Sequence, residues 1–229
     1  MNNFKFKTIF AIAILILAGT GGYFLNQKSS PPEQIPTADY ADQSKWKLLA
    51  DEEYSPSDHA TRGYAVSYPR DFDVYRAESA SGGFLGVPSA EIRFPEDAFP
   101  YPKTNFVEAY LTTSIGNDPD SLKNCYANPN PEDGAPKTLT NTATINGNIF
   151  YKGAGSGGDG AGNIYASELY RTLANDRCYE FVLTVHTGNI GDSAPGTVAE
   201  FDKEKAFGVL RQILQTVHFY TKTKNGAKQ

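Results

Sequence analysis

The sequence predicts an α+β domain, an antiparallel sheet with an amphipathic helix packed on it, carried behind one membrane-spanning helix. Three observations predict it. The N-terminus holds an uncharged apolar run, the stretch from Trp46 to Tyr220 shows apolar residues at period two, and residues Lys203 to Thr216 carry a single helical stripe. The chain has 229 residues, 40% of them hydrophobic and 21% charged, which suits one domain or two small ones and excludes wholesale disorder. Its formal charge is -5, and the basic residues Lys5, Lys7 and Lys28 all precede the body, which is therefore more acidic still. Such a body makes a poor nucleic-acid partner.

Residues 1–28 are expected to form a signal-anchor. Thr8 to Leu25 contains 18 residues without a charge, and a helix of that length spans about 27 Å, close to the hydrocarbon thickness of a bilayer. Lys5 and Lys7 precede the run, so the positive-inside bias leaves the N-terminus in the cytoplasm and exports the rest. A cleaved signal peptide is the alternative. The sequence favours an uncleaved anchor, because no clean A-x-A is present and Tyr23, Phe24 and Leu25 prolong the run. No cysteine follows the run to accept a lipid. Residues 29–44, with Pro31, Pro32 and Pro36, suit an extended tether.

A single extracytoplasmic domain is expected over 45–220, with a polar tail at 221–229. Its seven or eight strands include Trp46 to Ala50, Gly63 to Tyr68, Phe72 to Arg76, Ser89 to Phe94 and Phe106 to Ile115, with three more after Thr140. Pro69 closes the second strand, since it cannot donate to a ladder. Asn146-Gly147 predicts a type I′ hairpin. A second hairpin joins Ile164 to Leu173 with Cys178 to Thr187 through Asn175-Asp176, with Tyr179, Phe181, Leu183 and Val185 facing the core. Asp118-Pro119 opens a short helical turn with Leu122 and Cys125 inward. Asp202 caps the C-terminal helix, Phe201 staples onto Ala206, and Phe207, Leu210, Ile213, Leu214 and Val217 form its apolar stripe.

Cys125 and Cys178 are the only cysteines and both fall on the exported side, where pairing is expected. The alternative is two buried free thiols. A bond would tie the Asp118 turn to the sheet face opposite Tyr179 and Phe181. Gly153 to Gly158 matches G-x-G-x-x-G, but no helix follows to aim amides at a pyrophosphate, so the run reads as a flexible loop. His59, His186 and His218 stand apart without zinc spacing, and no G-x-S-x-G presents a serine. No catalytic, cofactor-binding or metal-binding residue is assigned and no cofactor is expected. An enzyme would need a site assembled from distant groups such as His186, Glu180 and serines. Exposed tyrosines suit carbohydrate or protein contact.

Trp46-Lys47, then Gly63-Tyr64-Ala65-Val66-Ser67-Tyr68-Pro69, then Phe72-Asp73-Val74 resemble the opening of PsbP-like domains, with their W-x and later G-[FY]-x-[IV]-x-Y-P-x-x-[WF]-x-V pattern. Gln212 to Phe219 looks similar to that family's final helix and the short [ST]-x-x-F behind it. The resemblance implies an α/β/α-type sandwich over about residues 46 to 220. It also implies an accessory or assembly role without enzymatic activity, and it carries over no site residue. The chain departs from the pattern by an insert from Leu49 to Arg62 and by its short middle helix. The functional expectation is a membrane-tethered binding or scaffold domain with a protein or envelope-component partner. A hydrolytic enzyme and a structural envelope component are the alternatives.

Overall fold

Alternating side chains and two-residue turns give this chain long antiparallel ladders. The computed structural model describes residues 40, 42–76, 89–99, 104–129, 137–158 and 161–223. The expected anchor over Thr8 to Leu25 and most of the tether lie outside them. Among the described residues no helix is long and apolar enough to cross a membrane.

The strands are β1 (Lys47–Ser55), β2 (Ala60–Tyr68), β3 (Asp73–Arg76), β4 (Ala90–Arg93), β5 (Phe106–Gly116), β6 (Asn141–Ile145), β7 (Asn148–Gly158), β8 (Asn163–Ala174), β9 (Arg177–Gly188) and β10 (His218–Thr223). The helices are α1 (Pro119–Lys123) and α2 (Lys203–Leu214). They build a seven-stranded sheet of order β3-β4-β5-β9-β8-β7-β6 and a three-stranded sheet of order β1-β2-β10. All strand pairs within the two sheets are antiparallel.

The inner face of the long sheet holds the core. Tyr179, Phe181, Leu183 and Val185 of β9 are fully buried there beside Leu111, Ile92 and Phe150. Against them sit β2, β10 and the apolar stripe of α2. The buried Tyr64 hydroxyl donates to Thr113 Oγ1 at 2.6 Å, a bond from the small sheet to the large one. Phe219 of β10 packs its ring 4.5 Å from that of Tyr179. Asp202 caps α2 by accepting from Glu204 N–H at 3.1 Å, while Ala206, Phe207, Leu210, Ile213 and Leu214 are buried. Asn146 and Gly147 adopt the expected left-handed backbone, with φ of 46° and 77°, and so do Asn175 and Asp176 in the second hairpin turn, with φ of 48° and 58°.

Four expectations are corrected. The expected α/β/α sandwich is not two helical layers: among the described residues the layer on the inner face is a small sheet plus α2, and the outer face carries only the five-residue α1. The strands expected to end at Ala50 and to begin at Gly63 run further, because the segment between them extends β1 and β2 into one continuous hairpin, with Ser55 paired to Ala60. The tail begins later than residue 221, since β10 runs to Thr223 and pairs with β2. Gly153 to Gly158 is not a loop but the second half of β7, paired residue by residue with β8.

Candidate functional site

The alternation that buries Tyr179 and Phe181 turns Cys178, Glu180, Val182, Thr184 and His186 to the outer face of the long sheet. The two ends of that face differ.

At one end Cys125 and Cys178 form a disulfide, with Cα atoms 5.6 Å apart and both residues fully buried. This pairing agrees with the sequence. Beside it lies an ion pair that sequence reading missed. Arg171 and Glu180 are directly opposite across the β8–β9 hairpin, with exposures of 0% and 1%. The guanidinium reaches Glu180 Oε2 through Nε at 2.7 Å and Nη2 at 2.6 Å, and Nη1 donates to the Ala127 carbonyl at 2.7 Å. Burial pulls the Arg171 pKa below its ordinary value, against the attraction of Glu180. Arg171 thus fastens to the sheet the chain that leaves Cys125. Leu122 is only half-buried. Tyr126 does more: its ring lies 4.1 Å from that of Tyr151, and its hydroxyl accepts from Leu173 N–H at 3.2 Å.

At the other end the face carries polar and aromatic side chains. Glu108, His186, Tyr165 and Gly157 are cross-strand partners in one row over β5, β9, β8 and β7. His186 Nδ1 lies 3.3 Å from Glu108 Oε1 and Nε2 lies 2.8 Å from Asn163 Oδ1, while the Tyr165 ring stacks 4.2 Å away. Arg93 joins this row to the next: Nη1 is 2.8 Å from Glu108 Oε2, and Nε donates to Glu91 Oε1 at 2.8 Å. Its guanidinium carbon is 5.3 Å from the Tyr75 ring centroid and 5.4 Å from that of Tyr110. Burial works against the Arg93 charge, but Glu91 and Glu108 more than offset it and hold the group above its ordinary pKa. Burial, then the charges of Glu108 and Glu91, push the Tyr110 hydroxyl up. Two hollows flank the network. One of about 310 Å³ includes Asp73, Tyr75, Arg93 and Glu108, and one of about 930 Å³ runs along β7 beside Tyr165 and Ser167.

The structure does not bring the three histidines together. His59 sits in the β1–β2 turn against Tyr54, His186 on the outer face, and His218 at the start of β10. Among the described residues no group of three His, Cys, Asp or Glu side chains could hold a metal. Glu180 does not converge with His186: six residues separate them on one strand, about 20 Å at roughly 3.3 Å per residue. A signal for the Arg171–Glu180 pair was present in the sequence, because counting outward from the Asn175-Asp176 turn sets the two opposite each other.

No family model matches the chain, and no curated protein matches it. Several solved structures are similar, among them the following three. LpqN, involved in cell envelope biogenesis of Mycobacterium tuberculosis, is 13% identical with a TM-score of 0.39, over 80% of this chain and 98% of that one. Cyanobacterial PsbP (CyanoP) from Synechocystis sp. PCC 6803 is 14% identical with a TM-score of 0.37, over 75% of this chain and 92% of that one. A structure from Bacteroides thetaiotaomicron VPI-5482 is 14% identical with a TM-score of 0.36, over 78% of this chain, which spans 50% of that one.

Proposed function

We propose that this chain is a membrane-tethered extracytoplasmic domain that binds or scaffolds a protein or another envelope component, with the open end of the outer sheet face as its contact surface. One observation carries the reading: Tyr75, Arg93, Glu108, Tyr110, His186 and Tyr165 form one connected network across five strands, flanked by two hollows. A surface of aromatic rings stiffened by charge pairs supplies contact area at low conformational cost. The same pairing argues against catalysis there. Both ring nitrogens of His186 have partners, its face is covered by Tyr165, and the residue is 6% exposed, so it is poorly placed to take a proton from a substrate.

Crosslinking in intact cells followed by capture of the chain tests this reading. A defined partner is expected. Turnover by the purified protein in a panel of hydrolase substrates would contradict it. The export that the reading assumes is tested separately: protease added to intact cells, or to spheroplasts where an outer layer shields them, should remove the body and leave a short anchored fragment.

A further inference from the structure

β7 is longer than the strand that covers it. β6 pairs with Asn148 to Lys152 only, whereas β8 continues to pair on the other side as far as Gly158. Among the described residues, Gly153 to Gly158 therefore have a strand neighbour on one edge alone, and Ala154 to Gly158 are all exposed. An uncovered strand edge presents unpaired N–H and C=O groups that a further strand can take up. The edges of β1, β3 and β10 carry charges that discourage this: Lys47, Asp51, Glu52 and Glu53 on the first, Asp73 and Arg76 on the second, and Lys222 on the third. The free half of β7, Gly-Ala-Gly-Ser-Gly-Gly, has no charge and no proline.

Among the described residues, two of its four glycines have no explanation in the packing, whereas a Cβ at Gly158 would meet the Asn163 carbonyl oxygen at 3.0 Å. A Cβ at Gly153 would meet Leu139 at 3.1 Å, but at Gly155 and Gly157 nothing lies within 4 Å, and neither has a positive φ. Glycine in extended backbone weakens a strand, and where no internal contact demands it, it marks a place for close approach by another backbone. Gly153, Gly155 and Gly157 share the outer face with Tyr165 and Ser167 of β8, and the groove of about 930 Å³ opens over them, bounded opposite by Thr138 to Asn141.

We propose that Gly153 to Gly158 is a strand-addition site for an extended segment of a partner polypeptide with aromatic or large apolar side chains at alternate positions. This names the partner chemistry of the binding reading above and rests on it. A side chain opposite a glycine can lean across the bare backbone, here onto Tyr165. The main chain supplies the hydrogen bonds and the alternate side chains the specificity. A second copy is a poorer occupant, because six residues without large side chains bury far less than the roughly 1,200 Å² a stable complex needs. The chain's own residues 29–39 are poorer too, since Pro31, Pro32 and Pro36 lack the N–H a ladder requires.

The test uses the full chain in detergent micelles and a displayed library of linear twelve-residue peptides. Selected peptides should alternate large apolar residues and slow amide exchange over 153–158 by at least tenfold. N-methylation at alternate peptide positions, or Gly155→Lys with Gly157→Lys, should weaken them at least tenfold. Both lysines enter open space, so the melting temperature should not move, and the N-methyl series stands whether or not that variant folds. Peptides that protect β3 to β5 instead would overturn the edge site and keep the binding reading. A selection that yields no binder, or binders indifferent to N-methylation and to both lysines, would overturn the proposal. A concentration-dependent dimer protecting the same amides would assign the edge to a second copy and overturn it as well.

Discussion

The two ends of one sheet face carry similar residues to opposite ends. At the closed end an arginine and a glutamate are wholly buried, and the disulfide and the chain after Cys125 seal them in. At the open end an arginine, two glutamates and a histidine are also paired, yet Arg93 is 35% and Glu108 27% exposed at the side chain, and tyrosines rather than backbone cover them. A buried charge needs every partner it can find, so the first set has one use, to fix a segment. The second set keeps the Tyr75 ring and the Glu108 carboxylate within reach of a visitor, although Glu91 and His186 are themselves buried.

The largest effects should come from breaking the closed end. Arg171→Ala removes the guanidinium that pairs with the buried Glu180 carboxylate and should cost about 3 to 5 kcal/mol, measured by urea unfolding. The double change Arg171→Met with Glu180→Leu should recover most of that loss, because two apolar side chains remove both desolvation costs together.

Next come the cysteines. Cys125→Ser and Cys178→Ser should each destabilise by a similar amount, about 2 to 5 kcal/mol, with the double variant scarcely worse than either single one. Thiol titration of the unfolded, unreduced protein should find no reactive cysteine; two thiols per chain would count against the bond.

The open end should be energetically quieter. Glu108→Gln weakens contacts to Arg93 and His186 at a partly exposed site and should cost about 1 kcal/mol or less by the same urea measurement. A loss as large as that of Arg171→Ala would erase the distinction between the two ends.

The smallest effect concerns the inner side of β8. Burial raises the Glu168 pKa, but hydrogen bonds from Arg211 and Tyr170 more than offset it and leave the carboxyl below its usual range. Its stabilising contribution is therefore present above the unfolded-state pKa and lost as pH falls through the lower folded value. Glu168→Gln should flatten the stability profile in that acid window and change its shape little above it. A profile unchanged by Glu168→Gln across that window would contradict the assignment.

Local chemistry made much of this legible. Two-residue turns, the Asp202 cap, the apolar stripe of α2 and the cysteine pair are set by residues close in sequence or by there being only two thiols. The split into two sheets was not, because period two says which face a residue takes and not which distant strand it joins. The second half of β1 hid behind Asp51, Glu52 and Glu53, charges that belong to an edge strand and mimic a loop. The free half of β7 was misread because glycine shows no alternation and has low strand propensity. The open network needs neighbours from β3, β4, β5, β8 and β9, and among its contacts only those of His186 with Tyr165 and Asn163 follow from a hairpin.

Site-resolved photocrosslinking in intact cells tests the division most directly. A benzophenone side chain would replace Tyr75 or Tyr165 at the open end, and Leu173, which is 43% exposed at the closed end, would serve as the control. The account predicts a discrete adduct from positions 75 and 165 and none from position 173. Adducts of equal yield at all three positions, or an adduct from position 173 alone, would contradict it.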